Sequence, residues 1–167
     1  MLALVALAAA VAMAAHRGLT ALRDSTQDAW TALEAQLIKR QELLAMIVAL
    51  CAKPMQDESD ILNRVSVTGS AVLAAAKRVN IPALAAADKA HRIAVAGLFE
   101  RTGNHPQLAM SAAFAALRGR VATLDARVDE RREQYNAAVS VLNFRCHAFP
   151  YRLVARSMRV APAAFLP

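Results

Sequence analysis

Few residues in this chain are of a type that could do chemistry: four histidines, two cysteines and one acidic run. His16, His91, His105 and His147 share no motif. Metal ligation needs several donors converging on one point, so no metal site is expected. His91 falls on the stripe of a helix, while His105 and His147 fall at helix termini or loops. Cys51 and Cys146 lack metal-type spacing and read as small buried apolar side chains. In the bundle derived below they would lie near opposite ends of its long axis. That is too far for a disulfide, which needs Cα atoms within ~7 Å. The run Asp57-Glu58-Ser59-Asp60 could offer a carboxylate pair, but it reads more simply as a negative helix start that complements the dipole. The sequence carries no hydrolase elbow, phosphate-binding glycine loop or Cys-His arrangement. The expectation is a protein that is not an enzyme, with no catalytic or cofactor-binding residues and no cofactor.

A second group could do structural work. Arg40 and Arg131 occupy helix-seam positions where an aliphatic side chain would pack better. A buried arginine needs a carboxylate, and such pairs fix register more than they add stability. Glu34, Glu42, Asp129 and Glu133 are the expected partners; the alternative is an exposed, snorkelling side chain. Tyr135 continues the same seam. Asn136 and Asn143 lie one heptad apart, each just after a seam residue, and suit side-chain hydrogen bonds to a neighbouring helix or a partner-binding stripe. Trp30, the sole tryptophan, is a candidate core anchor or interfacial ring.

These residues have to be positioned by helices. Aromatics make up only 5% of the 167 residues, and with 5 glycines and 6 prolines there are few turns. Pro54, Pro82, Pro106 and Pro150 each interrupt a helical pattern, because proline cannot donate into a helix interior. Four helices follow. The first runs to about Ala52, with Trp30, Leu33, Leu37, Arg40, Leu44, Ile47 and Cys51 at steps of three and four. The second, about Asp57 to Val79, carries Ile61, Val65, Thr68, Val72 and Val79. Asn80 and Pro82 open the third, which ends at the glycine of Gly103-Asn104-His105. The fourth starts near Pro106 and holds Phe114, Leu117, Val121, Leu124, Val128, Arg131, Tyr135, Ala138 and Leu142 on one stripe. Short connections imply an all-α, antiparallel up-down-up-down bundle.

Charge and hydropathy are concentrated at the two ends. Residues 1–15 carry no charged side chain. As a helix they span ~22 Å, short of the ~30 Å hydrocarbon core. A signal-anchor extended to Leu22, a cleaved signal peptide and an alanine-rich helix of a soluble assembly are the three readings, of which the retained anchor is adopted. Arg17 and Arg23 follow the segment and no basic side chain precedes it. The positive-inside rule then places the bulk of the chain in the cytoplasm, single-pass in the inner membrane. The net charge is +7, and residues 134–167 contain no Asp or Glu. If the first and fourth helices run antiparallel, Arg152, Arg156 and Arg159 return to Arg17 and Arg23. All five would lie at headgroup height, each worth ~1 kcal/mol on an anionic leaflet. The chain thus divides into an anchor (residues 1–22), a bundle (23–149) and a basic, aromatic tail (150–167). The rival reading of the charge is a soluble or peripheral bundle that binds nucleic acid, although no recognised DNA or RNA motif is present.

Two blocks resemble a known family. One is GLTALRDSTQDAWTALEAQLIKRQELL, Gly18 to Leu44; the other is RREQYNAAVSVLNFRCHAFPYRLVA, Arg131 to Ala155, followed by Pro162 and Phe165. Together they resemble the LemA family of bacterial membrane-anchored helical proteins, which includes some magnetosome proteins. The chain departs from the family pattern where Leu142-Asn143 replaces a second Tyr-Asn pair. Arg159-Val160 likewise stands where Gly-Phe is common. The resemblance implies an N-terminal membrane helix and a long helical bundle, and it implies no activity. The resulting expectation is a membrane-anchored scaffold that binds protein partners. Self-association through alanine-rich faces extends that role.

Overall fold

The computed structural model describes residues 1–167, apart from the side chain of Ala8. Six helices are present: α1 (Leu2–Cys51), α2 (Ser59–Lys77), α3 (Ile81–Thr102), α4 (Pro106–Ala109), α5 (Ala112–His147) and α6 (Tyr151–Ser157). A 3-10 turn, Gln56–Glu58, precedes α2. No strand occurs among the described residues, and the fold is an all-α helical bundle.

The stripe read from the sequence on α1 is buried throughout, and those on α2 and α5 are buried in large part, with Thr68, Leu117 and Arg131 half-buried. Trp30, Leu33, Leu37, Arg40, Leu44, Ile47 and Cys51 are all buried on α1. On α5 the buried positions Phe114, Val121, Leu124, Val128, Tyr135 and Leu142 continue through Val139 and Cys146 rather than Ala138. Local capping explains several boundaries. Asn80 accepts from the backbone N–H of Ala83 at 3.1 Å, and Pro82 stands in the first turn of α3. Ser111 Oγ accepts from Phe114 N at 3.3 Å and starts α5. The expected fourth helix is therefore split, with α4 separated from α5 at Met110 and Ser111.

Three helix ends depart from the usual glycine signal. α2 stops at Lys77, and Val79 adopts φ 51° and is exposed instead of joining the stripe. Asn80 N bonds to Ala75 O at 3.1 Å and Val79 N to Ala76 O at 2.9 Å, the Schellman pattern. α6 ends in the same way at Arg159, φ 53°, with Val160 N on Ala155 O at 3.0 Å. Gly103 behaves differently. Its φ is −63°, so it stays right-handed and α3 ends through short-range turns rather than a left-handed glycine cap.

The chain forms two compact units. One joins Met1–Ala32 to Arg131–Phe165; the other is Leu33–Glu130 with Leu166–Pro167. In the second unit Leu43, Leu44, Ile47, Cys51, Met55, Ile61, Val65, Leu98, Leu108, Phe114 and Val121 share one apolar core. Phe99 and Phe114 meet edge to face at 6.3 Å beside it.

Candidate functional site

In the first unit the C-terminal arm folds against the start of the chain. α6 buries or half-buries Tyr151, Val154, Ala155 and Met158, which recur at helical spacing and form one face. That face packs with Leu19, Leu22, Leu142 and Cys146. Gly18 makes the approach possible: a Cβ there would lie 3.2 Å from the Tyr151 ring. Arg145 covers the same ring at 5.0 Å. On the other face of α6, Arg152, Leu153 and Arg156 are exposed, as are Phe149 before it and Arg159 after it. Arg17 and Arg23 are exposed on α1. The arm thus presents cations and large apolar groups together, next to the point where the apolar part of α1 ends.

The extended segment after α6 is pinned by three hydrogen bonds. Asn143 Nδ2 donates to Ala163 O and Ala163 N donates to Asn143 Oδ1, both at 2.9 Å. Tyr135 Oη donates to Ala164 O at 3.1 Å. Asn143 therefore serves the backbone of the tail and not a neighbouring helix. Trp30 meets Tyr135 edge to face at 5.2 Å, and burial raises the Tyr135 hydroxyl pKa. Asn136 is half-buried on α5. Arg131, expected on the seam with a carboxylate, is half-buried and donates to Gln134 Oε1 at 2.7 Å, one turn along its own helix.

The second unit holds a buried polar layer. Arg40 is 1% exposed and reaches Asp88 at 2.5 Å and Asp125 at 3.4 Å. The expected partners Glu34, Glu42, Asp129 and Glu133 are not the ones used. Asp88 also accepts from Arg92 at 2.9 Å, and Arg92 from the other side holds Asp129 at 2.8 Å. Burial opposes the Asp88 charge, but Arg40 and Arg92 together outweigh it and hold its carboxyl below the usual range. Asp125 shifts the other way, because burial exceeds what Arg40 and Arg92 return. His91, also 1% exposed, lies between Gln41 at 2.8 Å and Thr68 at 2.9 Å. Burial, then the positive charge of Arg40, lowers its pKa to about 4. Gly69 leaves the space for this arrangement, since a Cβ there would collide with the Gln41 amide oxygen. Nothing in the spacing of Gln41, Thr68 or Gly69 had singled them out.

The remaining chemistry-bearing residues are dispersed. The acidic run makes no side-chain cap; Glu58 and Asp60 pair with Arg101 at 3.4 and 3.1 Å, and Glu58 accepts from His105 at 2.9 Å. His16 is exposed, and His147 donates to Asn143 O at 2.8 Å. Cys51 and Cys146 are free and buried, with burial pushing the Cys51 thiol up to about 11.

The LemA family model matches residues 29–167, which takes in Trp30, Arg40, Tyr135, Asn143 and the whole C-terminal arm. The chain belongs to the LemA family. No curated protein sequence matches it. Among the described residues α1 is the one helix long and apolar enough, by length and composition, to cross a membrane. Leu2, Leu4, Val5, Leu7, Val11 and Met13 on it are all exposed. LemA membership and this helix together fit a membrane-associated helical protein.

Proposed function

We propose that this LemA-family chain is a non-enzymatic scaffold, anchored by α1 in a bacterial inner membrane with its bulk in the cytoplasm. Its C-terminal arm rests on an anionic leaflet, and its polar helix faces bind protein partners. Self-association through alanine-rich faces is part of the same role. One observation carries the reading: α6 is packed at Gly18 and Leu19, directly after the apolar stretch of α1, and turns Arg152 and Arg156 outward beside Phe149 and Leu153. Side chains of this mixture suit the headgroup region, where the guanidinium meets phosphate and the ring enters the acyl boundary.

The test is fractionation of cells followed by washing of the membranes with high salt and then with alkaline carbonate. The full-length chain is expected to stay in the pellet through both. Release by salt alone rejects the anchor and revives nucleic acid as the partner of the basic surface.

A further inference from the structure

Unit two treats its cations unequally. Arg40, Arg92 and Arg101 are each paired with carboxylates. Lys39, Arg120 and Arg127 are not: among the described residues none of the three has an ion pair. Yet all three line one groove of about 320 Å³ between α1 and α5. Arg120 and Arg127 are two helical turns apart on α5 and so share a face, with Lys39 supplied from α1. Glu42 is the single carboxylate of the lining, and Leu43 and Leu124, both buried, form its apolar floor.

We propose that this groove binds a doubly charged phosphate group. Three cations against one carboxylate leave an excess of two positive charges, which matches the charge of about −2 on a phosphate monoester near neutral pH. The two guanidinium forks suit phosphate oxygens, and Lys39 adds a compact point charge. The apolar lining thins the water around the charges and strengthens their attraction for an anion. The volume exceeds that of the bare ion and leaves room above Leu43 and Leu124 for the organic group of a small phosphorylated molecule. This site shares no residue with the C-terminal arm and does not depend on the scaffold reading.

The experiment titrates the full-length chain, held in nanodiscs of zwitterionic phosphatidylcholine, with inorganic phosphate, phenyl phosphate and a phosphoserine peptide by calorimetry. Nanodiscs containing phosphatidic acid, tested for competition with phenyl phosphate, supply the lipid arm. Phenyl phosphate is expected to bind more tightly than inorganic phosphate. R120Q and R127Q should each weaken it roughly tenfold. R64Q, which removes an exposed cation outside the groove, should leave binding and all thermal midpoints unchanged. The occupant proposed is a small phosphorylated molecule; tighter binding by the peptide or in the phosphatidic acid arm than by phenyl phosphate overturns that assignment. Saturation not reached by ~10 mM with any probe overturns the proposal. So does equal binding by wild type and the double variant R120Q/R127Q, or an equal loss with R64Q.

Discussion

His91 couples the polar layer of the second unit to pH. Its pKa lies at about 4 in the folded chain, against the ordinary 6.5 when unfolded. Between those values the unfolded chain binds a proton that the folded chain refuses, so stability falls as pH drops through this window. The loss amounts to a few kcal/mol, about 1.4 per pKa unit. Asp125 acts with the opposite sign, because its raised carboxyl pKa lets the folded chain take a proton first. Asp88, with a lowered pKa, contributes stability that is lost only at lower pH, below its ordinary 3.8. Urea midpoints measured from pH 7 to 4 should therefore decline in the wild type, and the H91Q variant should decline less over the same range. Arg40 is the other test at this scale. Arg40→Ala empties a buried site and leaves Asp88 with Arg92 as its one remaining cation, and should cost about 3 kcal/mol in chemical denaturation, whereas Arg40→Met, which refills the apolar volume, should cost less. The seam position of Arg40 was readable from its spacing, since steps of three and four put it in line with Leu37 and Leu44. Its partners were not readable, because Asp88 and Asp125 are 48 and 85 residues away along the chain.

At the scale of elements, helix boundaries follow local chemistry where a specialised residue does the work. Asn80 and Pro82 marked the start of α3 because one supplies a capping oxygen and the other lacks an N–H that the first turn does not use. The ends of α2 and α6 were hidden, because Val79 and Arg159 take the left-handed conformation that glycine normally fills. A β-branched side chain at φ 51° is strained by ~1–2 kcal/mol. Val79→Gly should therefore raise the unfolding free energy by about 0.5–1 kcal/mol after allowing for the freer unfolded glycine. A smaller gain is expected for Arg159→Gly, with thermal unfolding as the readout for both. The pinning of the tail gives a sharper local prediction. Asn143→Ala removes both bonds to Ala163, so the Ala163 amide should exchange faster by roughly tenfold while amides of α2 and α3 are unaffected. Uniform acceleration along the chain would show that Asn143 supports the whole fold instead.

The compact units of the whole molecule do not follow chain order. Met1–Ala32 goes with Arg131–Phe165, so the tail forms one body with the beginning of the chain, while the middle of the chain is a second body. Residues 2–7 and Val11 and Met13 on α1 are exposed and add nothing to either core. A chain lacking residues 1–14 should therefore keep its helical circular dichroism and thermal midpoint. It should also leave the carbonate-washed membrane fraction and bind anionic vesicles weakly and reversibly. Changing Arg152, Arg156 and Arg159 to glutamine in that background should lower vesicle affinity by roughly fivefold per residue. The double variant Arg64→Gln/Arg78→Gln should leave it unaltered.

By itself the sequence determined the helical content, the proline breaks, the apolar start and the acid-free basic end, since each follows from the chemistry of neighbouring residues. The resemblance of its two end blocks to LemA also held across the matched region. Only the tertiary structure decided which carboxylates face Arg40, that His91 lies between Gln41 and Thr68, and that Asn143 holds the backbone of the tail. Those pairings join groups 20 to 85 residues apart. Many partners of the same type were available to each, and the packing of the helices selected among them.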